Sequence, residues 1–221
     1  MRQDAERNRL RILEAAREVY AEQGVEAPLD VIARRAGVGN ATLYRRFPDR
    51  AALIEAVFHD LLAATRDAGE RARAAEDPWA GLVGYVTHIF TGLAADRGVT
   101  DLMTTTIPGI PSLEDLHAHN AETLGLLLAR CRESGTVCED VTVEDLLFVL
   151  AALGRAVPAA EAASPGAWRR PLALLLNGLR ATGASLPGPA VGLVHVVATC
   201  IVGHVRLLVS REFGPVMGGH D

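Results

Sequence analysis

The chain has 221 residues with 49% apolar and 22% charged side chains, and its 22 basic residues, all Arg, against 27 acids give a formal net charge of −5. That length builds one full-sized domain plus a small one, and the balance excludes both a disordered chain and one that is basic throughout. The charge is uneven: residues 1–50 hold 10 Arg against 8 acids (+2), and residues 51–221 hold 12 against 19 (−7), so one small basic end sits on an acidic body.

In chain order, almost everything reads as helix punctuated by breakers. A first helix runs from about Ala5 to Gln23, with Ile12, Ala16, Val19 and Gln23 at helical spacing, Leu13 and Tyr20 beside them, and Gly24 as the stop. After Pro28 a short helix spans about Leu29 to Ala36, Gly37-Val38-Gly39 makes a tight turn, and a third helix runs from about Asn40 to Phe47, closed by Pro48. Asp49 caps a long fourth helix to about Ala75, and Trp79 to Ala95 forms the fifth after Asp77-Pro78. A short helix covers about Thr100 to Thr106. Ser112 with Asp115 predicts a cap for the next, which ends near Ser134. Two further helices are expected over Thr142 to Val157 and from Pro165 to about Ala181. Pro187-Gly188-Pro189 then precedes an apolar tail. The expected class is all-α, about nine or ten helices in total, with a head over 1–50 and a body over 51–221, the tail being 187–221.

Leu29 to Phe47 carries the clearest signal. Two short helices about a glycine turn are the sequence form of a helix-turn-helix, with Ile32, Ala33, Ala36, Val38, Leu43 and Phe47 as its small core. Ala33 is small where two helices cross, and Gly37 sits where φ must be positive. The outward residues of the second helix are Asn40, Ala41, Thr42, Tyr44, Arg45 and Arg46. Asn pairs with adenine, Ala and the Thr methyl meet a thymine methyl, and Arg takes guanine; Tyr, Thr and Arg also hold phosphate. Arg50, in the first turn of the next helix, is placed for phosphate too.

The runs RILEAAREVYAEQG (residues 11–24) and IARRAGVGNATLYRRFPDRAAL (residues 32–53) resemble the TetR/AcrR family of bacterial repressors. The resemblance covers roughly the first quarter of the chain. It implies base contacts from Asn40, Ala41 and Thr42, and backbone contacts from Tyr44 and Arg50. Arg45 and Arg46 serve either. Two departures are Pro28 and Gly39, which stand where the family often places a Ser or Thr cap. The resemblance further implies a homodimer on a palindromic DNA operator, paired through the helices at 142–157 and 165–181. Their leucines are more numerous than one buried face requires. It also implies a small-molecule effector held among the helices from 79 to 134 and the one near 145. Candidate wall residues are Trp79, Tyr85, His88, Phe90, Met103, His117, Asn120, Thr123, Leu127 and Phe148. Thr104-Thr105-Thr106 is a candidate hinge, and effector and DNA would compete by favouring different states.

Other chemistry finds little support. Cys131, Cys138 and Cys200 are odd in number with no metal spacing, which fits a reducing cytoplasm. His117 and His119 point about 200° apart on a helix and cannot share an ion, so neither metal nor cofactor is expected. Residues 1–11 lack the apolar stretch of a signal peptide. The uncharged stretch Ala190 to Val205 is 16 residues, short of the roughly 20 that span a bilayer, so no membrane partner is expected. An enzyme fused to a DNA-binding head would need a nucleophile motif or phosphate loop that is missing. A DNA-binding factor without small-molecule sensing is the other alternative, and the expectation is a regulator that is not an enzyme.

Overall fold

A computed structural model describes residues 2–104, 107, 109–180 and 186–188. Among these the chain is all-α, with nine helices and one isolated antiparallel bridge between Val137 and Arg180. The helices are α1 (Arg2–Gln23), α2 (Leu29–Arg35), α3 (Asn40–Arg46), α4 (Arg50–Arg73) and α5 (Pro78–Ala95). They continue as α6 (Arg97–Thr104), α7 (Pro111–Glu133), α8 (Val143–Ala163) and α9 (Arg169–Gly178). The expected hinge residues Thr105 and Thr106, and the tail from 189 onward, lie outside the described residues.

Local chemistry sets most helix starts. Asp49 accepts the Ala52 N–H at 2.8 Å and opens α4, and Asp77 accepts the Trp79 N–H at 2.9 Å ahead of Pro78 at the start of α5. Thr142 and Asp145 form a reciprocal capping box at α8. Gly37, at φ +64°, ends α2 by a Schellman arrangement: Val38 N–H reaches Ala33 O at 3.0 Å and Gly37 N–H reaches Arg34 O at 3.1 Å.

Several expectations need correction. α6 starts at Arg97, before Thr100, because Asp96 Oδ1 accepts the Val99 N–H at 2.8 Å. Ser112 does not cap α7: Pro111 takes the first turn, Ile110 is the cap residue, and Ser112 Oγ is buried without a partner. α8 runs past Val157 and through Pro158 to Ala163, carried by a run of alanines. α9 begins at Arg169; residues 164–168 instead form a turn about Gly166, at φ +77°, whose N–H donates to Glu161 Oε2 at 2.8 Å. Gln23, expected on the buried stripe of α1, is exposed in its last turn.

Two cores result. The first joins Ile12, Tyr20, Ile32 and Leu43 of α1–α3 to Leu53, Ile54 and Phe58 of α4, Val99 and Leu102 of α6, and Leu116 of α7. It runs across the division expected at 50 and 51. The rings of Tyr20 and Phe58 stack within it at 6.1 Å. The second core holds Leu82, Phe90, Leu127, Leu146, Trp168 and Leu172 of the body, and Met103 packs against both. Polar ties fasten α4 to α7: Arg73 Nε donates to Thr123 Oγ1 at 2.9 Å, and Arg130 donates to the carbonyls of Arg73 and Ala75, both at 2.8 Å.

Candidate nucleic-acid interface and apolar cavity

α2 and α3 pack through Ile32, Ala33, Ala36, Leu43 and Phe47, all buried, with Val38 half-buried. This turns the opposite side of α3 to solvent. Asn40, Ala41, Tyr44, Arg45 and Arg46 are exposed and Thr42 is half-buried. The neighbouring arginines of the head have internal partners. Arg34 meets Asp30 at 2.9 Å, and Arg35 grips Glu22 with both nitrogens at 2.7 and 2.9 Å, holding that carboxyl below its ordinary pKa and tying α2 to α1. Arg45 and Arg46 have no ion-pair partner among the described residues. These two cations beside a half-exposed tyrosine, on the solvent face of a short helix, form a surface suited to phosphate and base edges.

Arg50 behaves differently from the rest of that set. Its Nη1 donates to Val25 O at 2.5 Å and Ala27 O at 2.6 Å, clamping the loop between α1 and α2. On the other side of the same loop, Val25 N–H donates to Asp101 Oδ2 of α6 at 3.1 Å. The head is therefore held from α4 and α6 at one short segment.

The body contains an apolar cavity of about 90 Å³ between α5, α6, α7 and α8. Of the residues expected at such a site, Phe90, Met103, His117 and Asn120 line it together. Tyr85 stands behind the wall, its hydroxyl donating to Asn120 Oδ1 at 2.6 Å. His88 faces two other hollows on the α4 side of α5, one of which also takes in Tyr85. Thr123 is spent on Arg73, and Leu127 is fully buried in the second core. Trp79, at the start of α5, lies under the guanidinium of Arg180 at 5.0 Å. Phe148 points away and is 42% exposed. Sequence reasoning missed the α8 side of the wall, where Leu147, Leu150, Ala151 and Gly154 lie, and Ile89 and Leu93 of α5. The signal was present: Ala151 and Gly154 are small residues three apart, on one helix face with the bulky Leu147 and Leu150.

His117 and His119 do separate. His117 reaches Leu102 O at 3.2 Å, whereas His119 faces α4 near Arg73 and Glu70. Burial holds both imidazoles below their ordinary pKa. No group of three or more His, Cys, Asp or Glu among the described residues is placed to hold a metal ion. α8 is long and apolar enough to cross a membrane by length and composition, and it exposes Phe148 and Val149 while α9 exposes Leu174 at 64%.

Two family models match this sequence. Residues 12–57 match the family described as bacterial regulatory proteins, tetR family, and residues 77–181 match the C-terminal domain of SbtR-like transcriptional regulators. An HTH-type transcriptional regulator of Staphylococcus aureus is 46% identical over 54 residues, 24% of this chain. The chain thus spans 29% of the length of that curated relative. A TetR transcriptional regulator of Streptomyces coelicolor is 30% identical, with a TM-score of 0.51, over 79% of this chain and 99% of that one. The Bacillus subtilis regulator FadR, solved in complex with stearoyl-CoA, shares the fold at a TM-score of 0.58 with 19% identity, over 80% of this chain and 99% of its own.

Proposed function

The chain belongs to the TetR family of bacterial regulatory proteins, and on that premise we propose that it is a cytoplasmic homodimeric repressor, released from a palindromic operator by a small molecule. The observation that carries the reading is the solvent face of α3, where Arg45 and Arg46 have no ion-pair partner among the described residues while the adjacent Arg34 and Arg35 are paired. Asn40, Ala41 and Thr42, at the start of α3, read base edges, while Tyr44 and the two arginines grip the sugar-phosphate backbone or guanine. Arg50 contributes by fixing the loop that sets the tilt of α2 and α3.

The apolar faces of α8 and α9 support pairing. Phe148, Val149 and Leu174 are large apolar side chains left in water, which a second copy would cover. The cavity supports effector binding, since its wall is mostly apolar with few polar groups. A regulator of the same fold was solved in complex with stearoyl-CoA, so the fold itself is compatible with a bound small molecule.

Mechanistically, α6 is the connecting element. Its Met103 and Thr104 line the cavity and its Asp101 holds Val25 N–H in the head. An effector that moves α6 shifts the α1–α2 loop and with it the paired heads, so ligand and DNA favour different states. The test is selection from random-sequence DNA. Enrichment of one two-fold-symmetric site is the expected result, and failure to enrich any sequence would overturn the proposal.

A further inference from the structure

Among the described residues, the lining of the cavity includes no carboxylate and no arginine. Its polar members are Thr104, His117 and Asn120, and the first two already have partners. Thr104 Oγ1 donates to Thr100 O at 2.7 Å. His117 donates from Nε2 to Leu102 O at 3.2 Å, and its burial keeps the ring neutral near pH 7. Asn120 is only 8% exposed. Its Oδ1 accepts from the Tyr85 hydroxyl, whose pKa burial pushes up to about 12, so that hydroxyl stays protonated and donating. The bond fixes the amide: the oxygen turns to the tyrosine, and the NH₂ group has no partner among the described residues. An amide N–H that makes no hydrogen bond on a mostly apolar cavity wall is a donor for which a bound molecule can supply the acceptor.

Charge is absent for a physical reason as well. An anion seated here would lose its hydration without gaining a counter-ion. Arg155 of α8 is exposed and donates to Thr104 O at 3.4 Å, outside the wall. Size is limited too, because the cavity is about 90 Å³, against ~150 Å³ for an apolar cavity that holds benzene. Only Ile89 and Met103 are shared with an adjoining hollow of about 220 Å³. A methionine is flexible enough to swing and join the two.

From this geometry we propose that the cavity takes a compact, uncharged, largely apolar molecule with one carbonyl-type oxygen, which accepts a hydrogen bond from Asn120 Nδ2. The inference rests on reading the cavity as the effector site, and it names the chemical class that site selects. The full chain can be titrated calorimetrically at pH 7.5 with three probes of similar shape: acetophenone, cumene and benzoate. Acetophenone is expected to bind about tenfold or more tighter than cumene, the worth of one well-made hydrogen bond, and benzoate is expected not to bind. Asn120→Leu should erase the preference for acetophenone over cumene. Ala151→Leu fills the cavity from α8 without touching Asn120, so it should abolish binding of both and covers the case in which the Asn120 variant fails to fold.

Benzoate binding as tightly as acetophenone, absence of acetophenone binding at millimolar concentration, or a preference that survives Asn120→Leu would each overturn the inference. A parallel titration of the selected DNA site separates it from the reading beneath. Acetophenone that binds as described and leaves DNA affinity unchanged supports the chemical class and removes the effector role. Benzoate that releases DNA, and is blocked by Ala151→Leu, supports the effector role and removes the class.

Discussion

Tyr20 shows how a single side chain can work against the fold it sits in. Its ring is fully buried against Phe58, yet its hydroxyl has no hydrogen-bond partner, and burial pushes its pKa up to about 12. Removing an unsatisfied buried polar atom recovers its desolvation cost, so Tyr20→Phe should raise the unfolding free energy by about 1 kcal/mol in a urea titration. Histidines act in the other sense. Burial lowers the pKa of His88, His117 and His119, so the native state stays neutral where the unfolded chain takes up protons, near pH 6.5. The unfolded state then binds more protons, and stability present above that pH is lost as pH falls towards the native values. Unfolding at pH 7.5 and 5.5 should therefore show lower stability at 5.5, with a smaller difference in His117→Gln.

Among the elements, α6 has the most connections for its length. Within eight residues it carries Asp101 to the head, Leu102 into the first core, and Met103 and Thr104 to the cavity. Asp101→Ala removes the bond to Val25 N–H without touching α3 or the cavity. It should leave effector and DNA binding each measurable but shrink the coupling between them, which in such systems is about 5- to 150-fold, as read by DNA affinity with and without saturating effector. The same elements explain what the sequence could convey. Gly37, Asp49, Asp77 and Thr142 act on backbone groups within a few residues, so the turn and the starts of α4, α5 and α8 were legible. The length of α8 was not, because Pro158 reads as a stop while the alanines around it sustain the helix. The exposed face of α3 was equally legible, since a helix-turn-helix is built from one short stretch. A cavity drawn from four helices depends on how they rotate against one another. Phe90, Met103, His117 and Asn120 meet there, whereas Phe148, on the same helix as Leu147, turns to solvent and Arg50 is drawn inward to the α1–α2 loop.

At the scale of the whole molecule, two cores share the labour. The first fuses the head to the N-terminal half of α4 and to α6, so the head does not swing as a bead on a string; it moves when those helices move. The second holds the body and leaves one side of α8 and α9 apolar. Met103 touches both cores and the cavity, and so lies where an occupied site would be felt by the head. All of this matters for function only if α3 grips DNA. The direct measurement is titration of the selected palindrome at several salt concentrations between about 50 and 200 mM, with the native chain and with Arg45→Ala/Arg46→Ala. The native chain should lose affinity steeply with salt. The double variant should bind at least tenfold more weakly, with a slope flatter by up to about 2, since each arginine neutralises one phosphate, and with unchanged thermal unfolding. A folded double variant that matches the native affinity and salt slope would contradict the account.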